Sequence, residues 1–450
     1  MEIFAIPIED KFILYRPLRR LAFVGNRAMA DLTLRLTGQH PAASLEETNS
    51  KQGVDFLKTI GFLEPDPLPP SPLDPAYRPT TVVLLLTNRC NLRCTYCYAD
   101  GGEGFVQDLS SELAQAAIDY ACQNAVAQGQ SHFELVFHGG GEPIQAWKTL
   151  QEATIYARSK KLDCKVTMVS NGIWSTRQRE WIFKNLDSLS ISLDGEQETQ
   201  DQQRPFASGR GSFKAVMRTI EALDKAKFPY GIRMTATAPW RGRLPKDVRF
   251  ICEETGCPAM HVEPAFNIRR GEHQGPTQAE SEAFVEAFME AFEIASRAKR
   301  QLVYSGARPW LLTRTFCTAP YGALIVNPAG DLVTCYEVAN KNHTLAKMSV
   351  VGRIVGDQII VDNQARRSFL AYLGKKQAKC SDCFCYRHCA GDCYTRSFPA
   401  EAGNSQSLSP RCIMNREITA RILLWYIMAG DGVWRGQGVH PQATQLLRTF

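Results

Sequence analysis

The chain has 450 residues, 44% of them apolar and 22% charged, with a formal net charge of +6. That length suits two or three domains, and the composition is that of a globular protein. So small a positive excess, with no dense Lys/Arg run, argues against a nucleic-acid partner. Charges interrupt the N-terminal MEIFAIPIEDKFILYRPLRR every few positions, and no run of about 18 apolar residues exists. Neither a signal peptide nor a membrane span is therefore expected, and the chain is placed in the cytoplasm. Fifteen cysteines rarely form disulfides there; clustered spacing means metal or redox chemistry.

Residues 1–66 read as a small winged α+β module. FAIPI and KFILYRP alternate as strands do and LAFVG follows, while NRAMADLTLRLTG and SKQGVDFLKTIGFLE have helical spacing, the first capped by Asn26. The proline-rich EPDPLPPSPLDPAYRP (64–79) reads as a stiff linker, placed at 67–80 between domains. Strands are then expected at 81–86, 133–138, 164–170, 189–194, 230–237 and 260–264. Helices are expected at 111–128, about 146–160, 176–186, 213–226 and 245–255. Alternating units imply a parallel sheet with right-handed crossovers, and six are too few to close an eight-stranded barrel. An α/β fold with a partial (βα)6 barrel over 81–300 follows, ending in an amphipathic helix at 278–299. Residues 301–430 are cysteine-rich with short turns and little periodicity, as in a domain organised by metal rather than by an apolar core. A helix near 411–428 closes it, and 431–450 read as a polar tail.

The first cysteine cluster, Cys90-Asn-Leu-Arg-Cys94-Thr-Tyr-Cys97, directly follows a strand, where open α/β sheets bind ligands. Three thiolates can hold three irons of a [4Fe–4S] cube and leave the fourth open, whereas zinc wants four ligands. C-x3-C-x2-C with Tyr96 before the last cysteine resembles the signature of the radical S-adenosylmethionine (SAM) superfamily. The resemblance implies a cluster on Cys90, Cys94 and Cys97 that cleaves SAM to a 5′-deoxyadenosyl radical, the cofactor carrying the hard chemistry. Gly140, Gly141, Glu142 and Pro143 match the family's GGEP motif, in which glycines admit the SAM amino group and the glutamate neutralises it. Ser192 and Asp194 resemble its ribose-binding pair, and Arg204 resembles the arginine that pairs with the SAM carboxylate. Asn171, in Ser170-Asn171-Gly172, is a further ribose candidate. His138 faces the same region as a supporting residue.

The second cysteine region runs Cys317, Cys335, Cys380, Cys383, Cys389, Cys393, Cys412. This order resembles the SPASM extension, which implies two auxiliary [4Fe–4S] clusters and three clusters in all. By the family's interleaved pattern, Cys380, Cys383, Cys389 and Cys412 ligate the outer cluster, and Cys317, Cys335 and Cys393 the inner one. The fourth inner ligand stays open between Cys385 and none. Cys122, Cys164, Cys252 and Cys257 read as small apolar fillers.

SPASM relatives mostly modify peptides or proteins. Residues 1–66 resemble the leader-recognition module of ribosomal peptide maturases, whose exposed strand captures an extended leader by β-augmentation. The resemblance therefore implies a precursor peptide as partner, a reductant such as flavodoxin or ferredoxin, and an intramolecular side-chain crosslink as product. Sulfatase maturases carry an aspartate base just after the second cysteine of this domain; here Tyr336 and then Glu337 follow Cys335. A formylglycine-generating enzyme is the alternative reading, and a tRNA-modifying enzyme, lacking a visible basic RNA-binding domain, the second. No catalytic acid or base is assigned.

Overall fold

The computed structural model describes residues 1–38, 47–71, 76–238, 242–266, 270, 275–341, 343–397 and 409–438. Parts of the expected module, linker, C-terminal domain and tail therefore lie outside the described residues.

Two sheets organise the chain. The smaller is antiparallel in the order β1-β2-β3-β15, from β1 (Phe4–Ile8), β2 (Lys11–Arg16), β3 (Leu21–Gly25) and β15 (Val433–Trp434). The helices Arg27–Leu36 and Glu47–Thr59 complete the N-terminal module, and Asn26 caps the first by accepting from the Met29 amide at 2.9 Å. The tail expectation is corrected here: Val433 pairs with Phe23 and Trp434 with Ala22, so part of 431–450 is the fourth strand of the N-terminal sheet. Trp434 is fully buried against Tyr15, and the sheet shares its core with Phe384, Leu423 and Ile427 of the C-terminal domain. The module is thus packed onto that domain rather than held off by a spacer. Buried Arg16 secures the turn away from it, donating to the carbonyls of Phe62 and Glu64 and to Asp66.

The larger sheet contains β4 (Thr81–Leu84), β5 (His132–Phe137), β6 (Asp163–Ser170), β7 (Ser188–Ser192), β8 (Tyr230–Thr237) and β9 (Ala259–Ala265) in chain order, all parallel. Each lies within two residues of its expected position, because each is a short apolar run bounded by helix caps or turns. Two further parallel strands extend it, β10 (Gln301–Val303) beside β9 and β11 (Ala323–Val326) beside β4. Antiparallel β12 (Asp331–Val333), β13 (Val350–Val355) and β14 (Gln358–Val361) continue it as a meander. The sheet stays open, as expected of a partial barrel, but it runs without a break into the cysteine-rich region.

That region also has its own apolar core, contrary to expectation. Val338, Leu345, Phe369, Leu373 and Tyr394 pack against β11 and β12. The helix Asn363–Ala378 was hidden because two of its four buried positions are Arg366 and Lys376. The Arg366 guanidinium lies 4.7 Å from the Tyr77 ring centroid, and Lys376 Nζ donates to the Cys393 carbonyl at 3.2 Å.

Candidate active site

The cysteine loop leaves β4 through buried Leu85, Leu86 and Thr87. Two arginines that sequence reasoning missed hold its backbone. Arg93 donates to the carbonyls of Cys90 (2.9 Å) and Gly102 (2.6 Å); Arg270 donates to those of Cys94 (2.8 Å) and Gly101 (2.9 Å). A guanidinium that reaches loop carbonyls as far off in sequence as Arg270 is from Cys94 leaves no local pattern, so only the fold shows it.

The glycine turn after β5 lies directly on this loop. The Gly141 amide donates to the Thr87 carbonyl at 2.6 Å, and the Glu142 amide to that of Arg89 at 2.8 Å. A Cβ at Gly141 would stand 2.1 Å from the Arg89 carbonyl oxygen, and one at Gly140, with φ +70°, 2.8 Å from that of Thr87. The immediate need for glycine is thus close approach of two loops, which then share one wall of a cavity.

Glu142 is 3% exposed and accepts from Ser170 Oγ (2.7 Å) and the Asn171 amide (2.8 Å). Burial pushes its carboxyl up to about 7 in spite of those bonds. Pro143 starts the single helical turn Pro143–Ala146, for which Glu142 is the cap. Asn171 also bonds Asn91 of the cysteine loop through Nδ2 at 2.7 Å. Gly140, Gly141, Glu142, Asn171, Ser192, Tyr96 and Arg204 line one cavity with Cys90, Cys94 and Cys97. It encloses about 1400 Å³ including its open mouth.

Asp194 stands apart from that group. Its side chain is fully buried and is taken up by Tyr96 Oη (2.5 Å), Gln203 Nε2 (2.8 Å), Arg204 Nε (2.9 Å) and the Thr235 amide (2.9 Å). It is a node tying the cysteine loop to β7 and β8, without a free edge for a ribose. Arg204 keeps a face on the cavity, with Nη1 3.9 Å from Cys94 Sγ.

The far wall of the cavity comes from β8, β9 and the C-terminal domain: Arg233, Glu263, Arg396 and Arg411. Arg396 pairs with Glu337 at 2.9 Å, and Arg411 with Asp392 at 2.6 Å. His138 is 5% exposed, its ring stacked on Tyr336 at 4.5 Å, and neither ring nitrogen has a partner among the described residues. Burial, then the charge of Arg233, pushes it down to about 3, so the ring is neutral at ordinary pH.

The thiols fall into three neighbourhoods. Burial pushes Cys90 up to about 12 and Cys94 up to about 11, each with Cys97 close by. Cys335 is raised by burial, by Glu337, and by Cys393 and Cys317 beside it. Burial pushes Cys380 up to about 11, with Cys412 and Cys383 raising it further; Cys389 is raised by burial, Asp392, Cys412 and Cys383. Cys385 sits with this last group, its thiol turned to the Asn415 carbonyl at 3.9 Å, so it is not placed to complete the set at Cys317, Cys335 and Cys393. Among the described residues, no three His, Cys, Asp or Glu groups converge tightly enough for one metal ion. No helix among the described residues is long and apolar enough to cross a membrane.

A three-cysteine loop and a buried glutamate at the carboxyl ends of a parallel sheet define a class. Residues 84–238 match the Radical SAM superfamily, and the chain carries a radical SAM domain, whose class binds SAM and a [4Fe–4S] cluster. The sporulation killing factor maturation protein SkfB of Bacillus subtilis is 35% identical over 43% of this chain; the match spans 44% of SkfB, under half its length. Among solved structures, anSMEcpe with bound AdoMet and Kp18Cys peptide superposes with a TM-score of 0.61 at 18% identity, covering 78% of this chain and 98% of that one. SuiB of Streptococcus suis bound to precursor peptide SuiA gives 0.50 at 14% identity, covering 91% and 96%. At these identities the structures share the fold.

Glu142→Ala should weaken SAM binding by about 1.5–3 kcal/mol, the worth of one charge-assisted hydrogen bond, roughly 10- to 150-fold in Kd. An ammonium needs the ionised carboxylate, so wild-type affinity should strengthen as pH rises through about 7. Equilibrium titration at several pH values checks both; a Kd indifferent to the substitution and to pH would reduce Glu142 to a turn residue.

Proposed function

We propose that this protein is a radical SAM oxidoreductase that modifies a ribosomally made precursor peptide, forming an intramolecular side-chain crosslink. The observation that carries this reading is the continuity of the cavity. It joins the cysteine loop and Glu142 to Arg396 and Arg411, which stand three residues after Cys393 and one before Cys412. A substrate there lies between the first thiol set and the two C-terminal sets.

In this reading Cys90, Cys94 and Cys97 hold the SAM-binding cluster. Cys317, Cys335 and Cys393 hold an inner auxiliary cluster, and Cys380, Cys383, Cys389 and Cys412 an outer one. With SAM and its cluster bound, the site supplies a 5′-deoxyadenosyl radical for hydrogen abstraction. The chain's own groups bind and shield: Glu142 meets the SAM ammonium, Asn171 and Ser192 its ribose, and Arg204 its carboxylate. Neutral His138 offers a hydrogen bond to the substrate. The likeness to SkfB, a maturation protein, and the shared fold with SuiB, solved with its precursor peptide, support a peptide substrate.

The leader is assigned to the edge of β1, which pairs with no further strand among the described residues, since β15 occupies the edge of β3. Pro7 has no amide proton to give, so Ala5 is the outward donor available on that five-residue edge. Ala5→Pro should raise the precursor's KM about 2- to 10-fold, the worth of one backbone hydrogen bond, without lowering the melting temperature. An unchanged KM would move the leader elsewhere.

The direct test uses anaerobically reconstituted protein, SAM, a flavodoxin or ferredoxin reductant, and a candidate precursor peptide with leader and core. The product should be about 2 Da lighter per crosslink, because one hydrogen atom would leave to 5′-deoxyadenosine and a second as a proton, its electron passing to an auxiliary cluster, and deuterium should pass from the attacked carbon into 5′-deoxyadenosine. An aldehyde on a Cys or Ser of a sulfatase-like protein would instead select the formylglycine-generating alternative.

A further inference from the structure

Asn415 is 1% exposed on the C-terminal helix Pro410–Ala429. Its Nδ2 donates to Cys389 Sγ at 3.6 Å, and its Oδ1 accepts from Tyr304 Oη at 2.6 Å. A metal-bound thiolate sulfur only accepts, so with Cys389 as a ligand the amide settles with Nδ2 toward sulfur and Oδ1 toward the Tyr304 hydroxyl, which can donate to it. Tyr304 is itself fully buried and packed edge-on against Phe284 at 5.6 Å and Phe288 at 6.0 Å. The loop after β10 is shaped for this side chain, since a Cβ on Gly306 would lie 2.2 Å from Asn415 Oδ1. A second donor reaches the same thiol set: Arg416 Nη1 lies 3.8 Å from Cys383 Sγ. The carboxylate facing the set, Asp392, is matched by Arg411 at 2.6 Å. Hydrogen bonds to cluster sulfurs are among the terms that set an iron–sulfur potential, and an N–H aimed at sulfur favours the more negative, reduced form.

The geometry points to Asn415 as the residue that raises the reduction potential of the outer iron–sulfur group, with Tyr304 as the positioning residue that aims its amide. This rests on the assignment of that group to Cys380, Cys383, Cys389 and Cys412. A purely architectural Asn415, tying the helix to the β10 loop, makes a different prediction. Asn415→Asp keeps the shape and the bond from Tyr304 but replaces the N–H donor with an anion beside sulfur.

The experiment is an anaerobic redox titration followed by electron paramagnetic resonance, in a chain carrying Cys90→Ala, Cys94→Ala and Cys97→Ala so that the auxiliary groups alone are read. Asn415→Asp should move one of the two midpoints to more negative potential and leave the other in place, at unchanged iron content. Tyr304→Phe should move the same midpoint in the same direction by less, which keeps the test intact should the aspartate variant fold poorly. Both midpoints unmoved in iron-replete variants would overturn the inference. Iron content unchanged by Cys412→Ala would overturn the outer-group assignment itself, and the inference with it.

Discussion

Replacing Cys90, Cys94 and Cys97 together with alanine should abolish 5′-deoxyadenosine formation and remove only about a third of the iron. Full occupancy of three four-iron groups means about twelve irons per chain, so the variant should retain about eight. The physical basis is separation. The first set hangs on the loop after β4, its backbone held by Arg93 and Arg270. The other two sets stand on the segments around β11, β12 and the helices Asn363–Ala378 and Pro410–Ala429. Among the described residues, the thiols that act on Cys90 and Cys94 are those of the first set itself, so losing it should not unseat the others. Thiols pushed up to about 11 or 12 by burial are protonated without metal, so each group's assembly should release protons and weaken as pH falls. Anaerobic iron analysis and chromatography of the nucleoside read both halves of the prediction. Protein that purifies rich in zinc and poor in iron would sink it, as would a variant that loses all its iron.

What was legible in the sequence followed the locality of its cause. The barrel strands are runs such as Thr81–Leu84 and Asp163–Ser170, buried on at least one face and set between capped helices, so pattern alone located them. The seven-cysteine order in the C-terminal region suggested a grouping only through its resemblance to a family pattern, since no periodicity accompanies it. Illegible features depended on distant partners. β15 is two residues long and exists because β3, about 400 positions earlier, offers an edge and a slot for Trp434. The helix Asn363–Ala378 has charged residues at inward positions because an aromatic ring and backbone carbonyls wait there. Cys385 could be named as a spare thiol but not located, since its neighbours are set by how the helix Pro410–Ala429 docks. The glycines of the turn were recognised by motif, yet their steric reason, the Arg89 and Thr87 carbonyls, needed both loops in view.

Asp194 shows the same divide, and it leads to the second large effect. A family resemblance places it at a ribose, while its surroundings make it the charge that pairs a buried arginine. Removing one partner of a buried, hydrogen-bonded ion pair leaves the other uncompensated, at a cost of about 3–5 kcal/mol. In Asp194→Ala, Arg204 would lose its carboxylate partner and keep its weak contact to Cys94 Sγ and its place over the Tyr96 ring, and Tyr96, Gln203 and the Thr235 amide would each lose an acceptor. Typical unfolding entropies over a chain of this length turn that cost into a fall of about 3–5 °C in melting temperature, if the domains melt together. Tyr96 lies between Cys94 and Cys97, so loosening its hydroxyl should also lower iron retention at the first thiol set more than at the others. Asp194→Asn keeps an acceptor oxygen and should fall between alanine and the parent. A direct ribose contact predicts the opposite pattern: an alanine variant with the parent's melting temperature and iron content, and weakened affinity for SAM. Calorimetry together with iron analysis separates the two, and an alanine variant that melts with the parent would remove Asp194 from its place as the node joining the cysteine loop to β7 and β8.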